Sequence, residues 1–197
     1  MIKKIIKNIT NFFGYVLIKK IDNELENTSN FNKDIIKKFS KYTMTSNVKI
    51  FTLIKAFEYI NKFKIDGDFV ECGVFTGGNI MIMKKLIEKN RLNKKIYAYD
   101  TFEGMTVPTS FDIKIDGTIA KKKFKKNWAS CSLNQVKKNF KEMKLNIRNI
   151  RFIKGKVEQT LKIKKNLPKK ISILRLDTDF YESTKSELEK LVSITCR

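Results

Sequence analysis

Two carboxylates and a run of glycines are the residues of this chain best suited to chemistry. Glu71-Cys72-Gly73-Val74-Phe75-Thr76-Gly77-Gly78 follows the apolar run Phe69-Val70, so an acid and three glycines fall where a buried strand turns into a helix. Glycine there lets the backbone approach a ligand, and the helix N-terminus adds N–H donors and a positive dipole. The spacing is E-x-G-x-x-x-G-G rather than the G-x-G-x-x-G of a dinucleotide site. A tight turn with no ligand would use the same glycines. Asp100 ends the next apolar run about 20 residues beyond Gly78, the spacing expected of an acid that accepts hydrogen bonds from ribose hydroxyls.

Two further strand ends carry polar groups. Gly155-Lys156-Val157-Glu158-Gln159-Thr160 offers an apolar residue and a carboxylate where an adenine ring would lie, although an ordinary strand-to-helix turn reads the same way. Leu176-Asp177-Thr178-Asp179 sets two carboxylates one residue apart, able to hold a hard divalent cation or to take a proton from a hydroxyl. The alternative is a helix cap, with Asp179 or Ser183 satisfying the N–H groups of the helix that follows.

These residues need elements to hold them. Thr45-Ser46 reads as an N-cap before a helix with Val48, Phe51, Ile54, Phe57 and Ile60 on one face. From there the chain alternates: a strand over 68–73, a helix over 79–88, a strand over 95–100, a helix opened by the capping-box form Ser132-Leu133-Asn134-Gln135, strands over 151–153 and 171–177, and a last helix from about Glu182. This rhythm predicts an α/β fold, a doubly wound Rossmann-like parallel sheet with ligands at the carboxyl ends of its strands. Residues 102–127 form the one long irregular stretch, expected to be a lid.

Composition narrows the classes. In 197 residues, 42 Lys plus Arg face 20 Asp plus Glu, a net charge of +22. The excess is mostly Lys, spread along the chain beside Asn and Ile, which reads as solvated faces rather than a nucleic-acid patch. Histidine is absent, so any general base is a carboxylate, Lys or Tyr. Cys72, Cys131 and Cys196 are too few and scattered for a disulfide framework, which fits a reducing cytoplasm. No apolar run is long enough to span a bilayer. The amphipathic start, with Ile2, Ile5, Ile6, Ile9, Phe12, Phe13, Val16 and Leu17 at helical spacing, offers a packing or homodimer contact.

Five blocks in order resemble the macrocin O-methyltransferase family of the TylF, MycF and NovP type, class I S-adenosylmethionine-dependent methyltransferases: Tyr42-Thr43-Met44-Thr45-Ser46, Gly67-Asp68-Phe69-Val70-Glu71-Cys72-Gly73-Val74, Tyr99-Asp100-Thr101-Phe102-Glu103-Gly104-Met105, Lys154-Gly155-Lys156-Val157-Glu158-Gln159-Thr160-Leu161, and the run from Ile173 through Leu176-Asp177-Thr178-Asp179-Phe180-Tyr181-Glu182-Ser183-Thr184. The resemblance implies a methyltransferase domain over 42–197, preceded by a helical extension over 1–41. It implies that Glu71, Gly73, Gly77 and Gly78 contact the amino acid end of S-adenosylmethionine. Asp100, with Thr101 and Phe102, would meet the ribose, and Val157 with Glu158 the adenine. Thr43, Met44 and Thr45 would close over the cofactor. Asp177 matches the catalytic acid that also ligates magnesium, with Asp179 as a second ligand. The implied reaction is methylation of a hydroxyl on a sugar or glycosylated metabolite, assisted by Mg2+.

Relatives continue beyond the last helix into a strand with an Asp-Asp-Tyr segment, which supplies the remaining metal ligands. Here the sequence ends at Arg197. The expectation is therefore a sheet truncated after its fourth strand and following helix, with an incomplete metal-ligand set. The alternative function is a catalytically incomplete cofactor-binding remnant or partner subunit.

Overall fold

The computed structural model describes residues 28–195, so the amphipathic segment 2–17 and Cys196 lie outside the described residues. The elements run α1 (Asn30–Phe39), α2 (Asn47–Lys62), β1 (Asp68–Cys72), α3 (Gly78–Lys89), β2 (Ile96–Asp100), α4 (Leu133–Glu142), β3 (Ile150–Lys154), the single turn α5 (Val157–Thr160), β4 (Ile171–Leu176) and α6 (Tyr181–Leu191). The four strands are parallel in the order β3-β2-β1-β4. After β3 the chain crosses back to the far side of β1, and a parallel sheet opens a crevice at such a switch point.

Strand periodicity sorts the core into two layers. Phe69, Ile96, Ala98 and Ile173 face α1 to α4, meeting Ile54, Phe57, Ile80, Met83, Val136 and Phe140. Val70, Cys72, Tyr97, Tyr99 and Ile153 face the opposite way, toward Val157, Leu161 and Leu191. Helices thus cover both faces, as the alternating sequence predicts. Among the described residues no helix is long and apolar enough to cross a membrane.

The caps agree with the sequence at two helices. The hydroxyl of Ser46 accepts from the Lys49 amide and that of Ser132 from the Gln135 amide. Gln135 does not return the bond, because its side-chain amide donates to Asn139 instead. The face of α2 is rotated from the expected one: Ile50 and Leu53 are buried with Ile54, Phe57 and Ile60, while Val48 is 48% exposed. Helix α1 falls inside the helical extension expected over 1–41, which the sequence did not divide into separate helices. Ser29 caps it, and Ile35, Ile36 and Phe39, with Phe31 partly buried beside them, pack on the core.

The aromatic layer under β2 and β3 carries much of this packing. Phe140 is fully buried, with its ring edge-on to Phe152 at 6.3 Å. Truncating a buried aromatic typically costs about 3–5 kcal/mol. The Phe140→Ala variant is accordingly expected to lose stability on that scale, read as a lowered urea midpoint with little change in slope.

Candidate functional site

The cleft at the carboxyl ends of the strands is built on backbone that only certain residues tolerate. Gly73 has φ +85°, and a Cβ there would lie 2.8 Å from the carbonyl carbon of Asp177. The turn after β1 therefore rests directly on the loop after β4. Three non-glycine residues with left-handed backbone line the same mouth, Phe75 (φ +51°), Ala129 (φ +53°) and Asp179 (φ +66°), and Phe102 (φ +54°) lies behind it. Such conformations cost free energy and persist only where surrounding contacts enforce them.

Asp100 supplies one such constraint. Its Oδ2 accepts from the backbone amides of Val74 (2.6 Å) and Phe75 (3.0 Å), and its Oδ1 from that of Phe102 (2.7 Å). A carboxylate offers about four acceptor sites. Three are occupied by these amides, and the Thr101 hydroxyl lies 3.4 Å from Oδ1, so Asp100 holds the β1 turn against the end of β2.

A second network lies beneath. Glu71 is wholly buried and its Oε1 accepts from Arg175 at 2.6 Å and from the Asn79 amide at 3.1 Å. The same guanidinium reaches Thr45 Oγ1 at 2.8 Å and Asp177 Oδ2 at 2.8 Å. Asn79 also donates to Thr45, which hydrogen-bonds Thr43. Thus β1, β4, α3 and segment 43–45 meet at one guanidinium. Burial drives the Glu71 pKa up to about 7, outweighing Arg175 and Asn79, which pull it down. Burial also opposes the charge on Arg175, but Glu71 and Asp177 together hold its pKa above the ordinary value. Asp179 is raised by burial and then by the charge of Asp177.

The cleft, of about 280 Å3, is lined by Met44, Thr45, Gly73, Asp100, Thr101, Val157, Asp177 and Asp179 among the residues expected from sequence. Thr43, Glu71, Gly77, Gly78, Phe102 and Glu158 stand behind its wall. Gly77 packs on Val136 and Phe140, and Gly78 makes room for Tyr42 and Thr43, so these glycines admit protein neighbours. Phe102 is buried in the core. Arg175, Lys49, Phe75 and Tyr99 also line the cleft without a role read from sequence, as does Ser183, which was read only as a possible helix cap. An arginine inside an apolar strand, Ile173-Leu174-Arg175-Leu176, is the signal that could have singled out Arg175.

The cap alternative for Asp179 and Ser183 does not hold: Phe180 occupies the N-cap position of α6 without a side-chain bond, and the Ser183 hydroxyl donates to Glu158 Oε1 at 2.9 Å. Glu158 Oε2 and Glu71 Oε2 are both buried without a hydrogen-bond partner. A second, larger cavity of about 1190 Å3 joins the cleft at Met44, Met105, Ala129 and Asp179, and Phe111, Phe124, Trp128 and Tyr181 line it.

Magnesium fits these residues poorly. Asp177 Oδ2 is already paired with Arg175, and among the described residues no group of three or more His, Cys, Asp or Glu side chains is placed to hold a metal ion. The two carboxylates expected as ligands do not make a magnesium site by themselves.

A family model for macrocin O-methyltransferase (TylF) matches residues 15–195. The chain belongs to the macrocin O-methyltransferase family. The match starts well before Tyr42, where the five recognisable blocks begin. Within the macrocin O-methyltransferase group, the chain is 29% identical over 130 residues to the 8-demethyl-8-(2,3-dimethoxy-alpha-L-rhamnosyl)-tetracenomycin-C 4'-O-methyltransferase of Streptomyces olivaceus, covering 65% of this chain and 48% of the relative. It is 28% identical over 133 residues to the demethyldecarbamoylnovobiocin O-methyltransferase of Streptomyces niveus, covering 64% and 48%. The chain thus spans about half the length of these relatives. The solved O-methyltransferase NovP shares the fold, with a TM-score of 0.66 at 24% identity over 78% of this chain and 63% of that one. The calicheamicin methyltransferase CalS11 shares it with a TM-score of 0.57 at 13% identity, over 86% and 76%.

The raised carboxylates give the macrocin O-methyltransferase cleft a pH signature. Burial lifts Glu187 to about 7 as well, against the hydrogen bond it accepts from Thr178. Both acids hold their proton more tightly folded than unfolded, so the stability they lend is full below the unfolded value of 4.5 and is lost as pH rises through about 7. Each contributes a slope of up to ~1.4 kcal/mol per pH unit within that window. Urea midpoints should fall between about pH 5 and about pH 7.5, and Glu71→Gln should flatten that fall.

Proposed function

We propose that this chain binds S-adenosylmethionine in the strand-end cleft and methylates a hydroxyl of a sugar or glycosylated metabolite held in the adjoining cavity. The observation that carries the reading is the strand-end cleft that gathers Gly73, Asp100 and Val157. Behind its wall stand Glu71 Oε2 and Glu158 Oε2, two of the three carboxylate oxygens buried without a partner among the described residues. They belong to residues that family resemblance assigns to the two ends of this cofactor. An unpaired buried acceptor costs free energy until a donor arrives, and the cofactor carries an ammonium at one end and an adenine amino group at the other.

The remaining contacts suit the same ligand. Asp100 lines the cleft and can accept from a ribose hydroxyl in place of its long 3.4 Å contact with the Thr101 hydroxyl, which also donates to Gly104, and Val157 offers an apolar wall near Glu158. Met44, 68% exposed, belongs to the lining of both cavities. One relative named above acts on a rhamnosyl-tetracenomycin by its name, which supports a glycosylated acceptor for this chain.

The bound cofactor supplies an electrophilic methyl carbon on a sulfonium. The work of the protein is alignment and proton transfer, and alignment is the larger source of rate. Asp177 lies where cleft and lid cavity approach each other. Its Oδ2 is fixed by Arg175, while Oδ1 carries no hydrogen bond within the described residues and is the acceptor for the hydroxyl proton. Arg175 thus acts as a positioning residue, holding Asp177 and segment 43–45 in one register. The buried free thiols of Cys72 and Cys131 support a cytoplasmic setting.

Calorimetry of the full chain with S-adenosylhomocysteine tests the first half of the reading. Saturable binding is expected, weakened about tenfold in Asp100→Ala through loss of a hydrogen bond to a charged group. No binding at millimolar nucleoside would overturn it. Transfer of labelled methyl to a panel of glycosides, with and without magnesium, tests the second half. Asp177→Asn should lower turnover far more than binding, whereas binding with no transfer to any acceptor would favour the cofactor-binding subunit.

A further inference from the structure

The geometry points to Asp112 as a latch, a positioning residue that fastens the lid to the start of α6 and thereby closes the larger cavity beside the Asp177–Asp179 loop. It sits in the segment between β2 and α4, remote in sequence from α6. Its Oδ1 accepts from the backbone amide of Tyr181 at 2.7 Å. That amide opens α6, whose own N-cap residue, Phe180, contributes no side-chain bond. Asp112 therefore caps the helix from outside, with its negative charge at the positive end of the helix dipole.

The other groups of Asp112 hold the lid. Its Oδ2 accepts from the Thr109 amide at 2.7 Å and from the Thr109 hydroxyl at 3.1 Å. Its carbonyl accepts from the Ala120 amide at 2.8 Å, at the base of a small hairpin closed by the Ile113–Ile119 bridge. Both ends of the lid loop and the helix start thus converge on one residue. Around it, lid and α6 meet through two ring pairs, Phe111 with Tyr181 at 4.9 Å and Phe124 with Phe180 at 6.5 Å. Phe111 is 64% exposed and Tyr181 is 46% exposed, so this pair excludes little water, while Phe124 and Phe180 are half-buried. A lid tip held to α6 by one external cap, one wet ring contact and one half-buried one belongs to the low-stability end of a fold, where opening is readily reached.

The latch also bears on chemistry. Tyr181 lies two residues after Asp179, which borders both cavities, so releasing the start of α6 loosens Asp179, while Asp177 stays held by Arg175 and by the Cys72 carbonyl. The proposal needs no bound nucleoside and rests on the proposed function only for the identity of what the closed cavity would hold.

The chain contains a single tryptophan, Trp128, which lines this cavity and is 55% exposed. It reports lid position without labelling. Acrylamide quenching of Trp128 and the rate of limited trypsin cleavage at Lys114 and Lys121 to Lys126 are measured on the full chain as wild type, Asp112→Ala, Asp112→Asn and Phe111→Ala. Asp112→Ala is expected to raise lid cleavage about tenfold, the effect of a lost cap, and to expose Trp128 to quencher. Asp112→Asn should fall between it and wild type, because its amide oxygen still accepts from Tyr181 while its nitrogen accepts from nothing. Phe111→Ala, at an exposed site, should fold and move both readouts the same way. Cleavage at Lys37 and Lys38 in α1 should not change, which separates a local latch from general loosening. Equal lid cleavage and equal quenching in wild type, Asp112→Ala and Phe111→Ala would overturn the latch, as would an Asp112→Ala increase matched in α1. Latch behaviour without nucleoside binding in calorimetry would sink only the proposed function.

Discussion

A guanidinium on an apolar strand of the sheet is the constraint on which the rest of this site depends. Arg175 has hydrophobic neighbours along β4, and its charge is tolerable there because Glu71, on the next strand, and Asp177 both pair with it. Removing Arg175 would leave the buried Glu71 without its cation. With both present, the pair ties the centre of the sheet to Thr45 on one side and Asp177 on the other. The residues that border the cleft are thus fixed relative to one another before any ligand arrives, which is the condition under which alignment can accelerate a methyl transfer.

Asp100 does for the backbone what Arg175 does for the side chains. By gathering the amides of Val74, Phe75 and Phe102 it joins two strand ends into one rim. The positive φ values of Phe75 and Phe102 follow, since amides of successive residues can point at one carboxylate only if the chain turns sharply. An acid that looks in sequence like a ligand group is first a structural one.

Much of the fold was legible because strand and helix periodicities are local. The runs at Phe69-Val70 and Ile96-Tyr97-Ala98-Tyr99 could hardly be anything but buried strands, and Ser46 and Ser132 announced their helices. The misreadings came from the same source. On α2, Val48 and Ile50 are both apolar, and only the packed neighbour decides which one is buried. Helix α1 has too few apolar residues to stand out from its lysines and asparagines. At the site, the glycines and strand-end acids could be located from spacing, but not what they face: Gly77 and Gly78 turned out to make room for protein, and Glu71 lies behind Arg175. Asp112 was invisible for a different reason. A cap supplied from 69 residues away leaves no pattern in the segment it caps.

The left-handed side chains at the cleft mouth have a cost beyond local strain. At Asp179, glycine or asparagine would relax the backbone and commonly make such a protein more robust. Either replacement would also strip a carboxylate from the rim of the cleft. Laboratory evolution toward heat tolerance would therefore meet its conflict with activity early at this position, and the persistence of an awkward residue there under such selection would be a record of what the cleft is for.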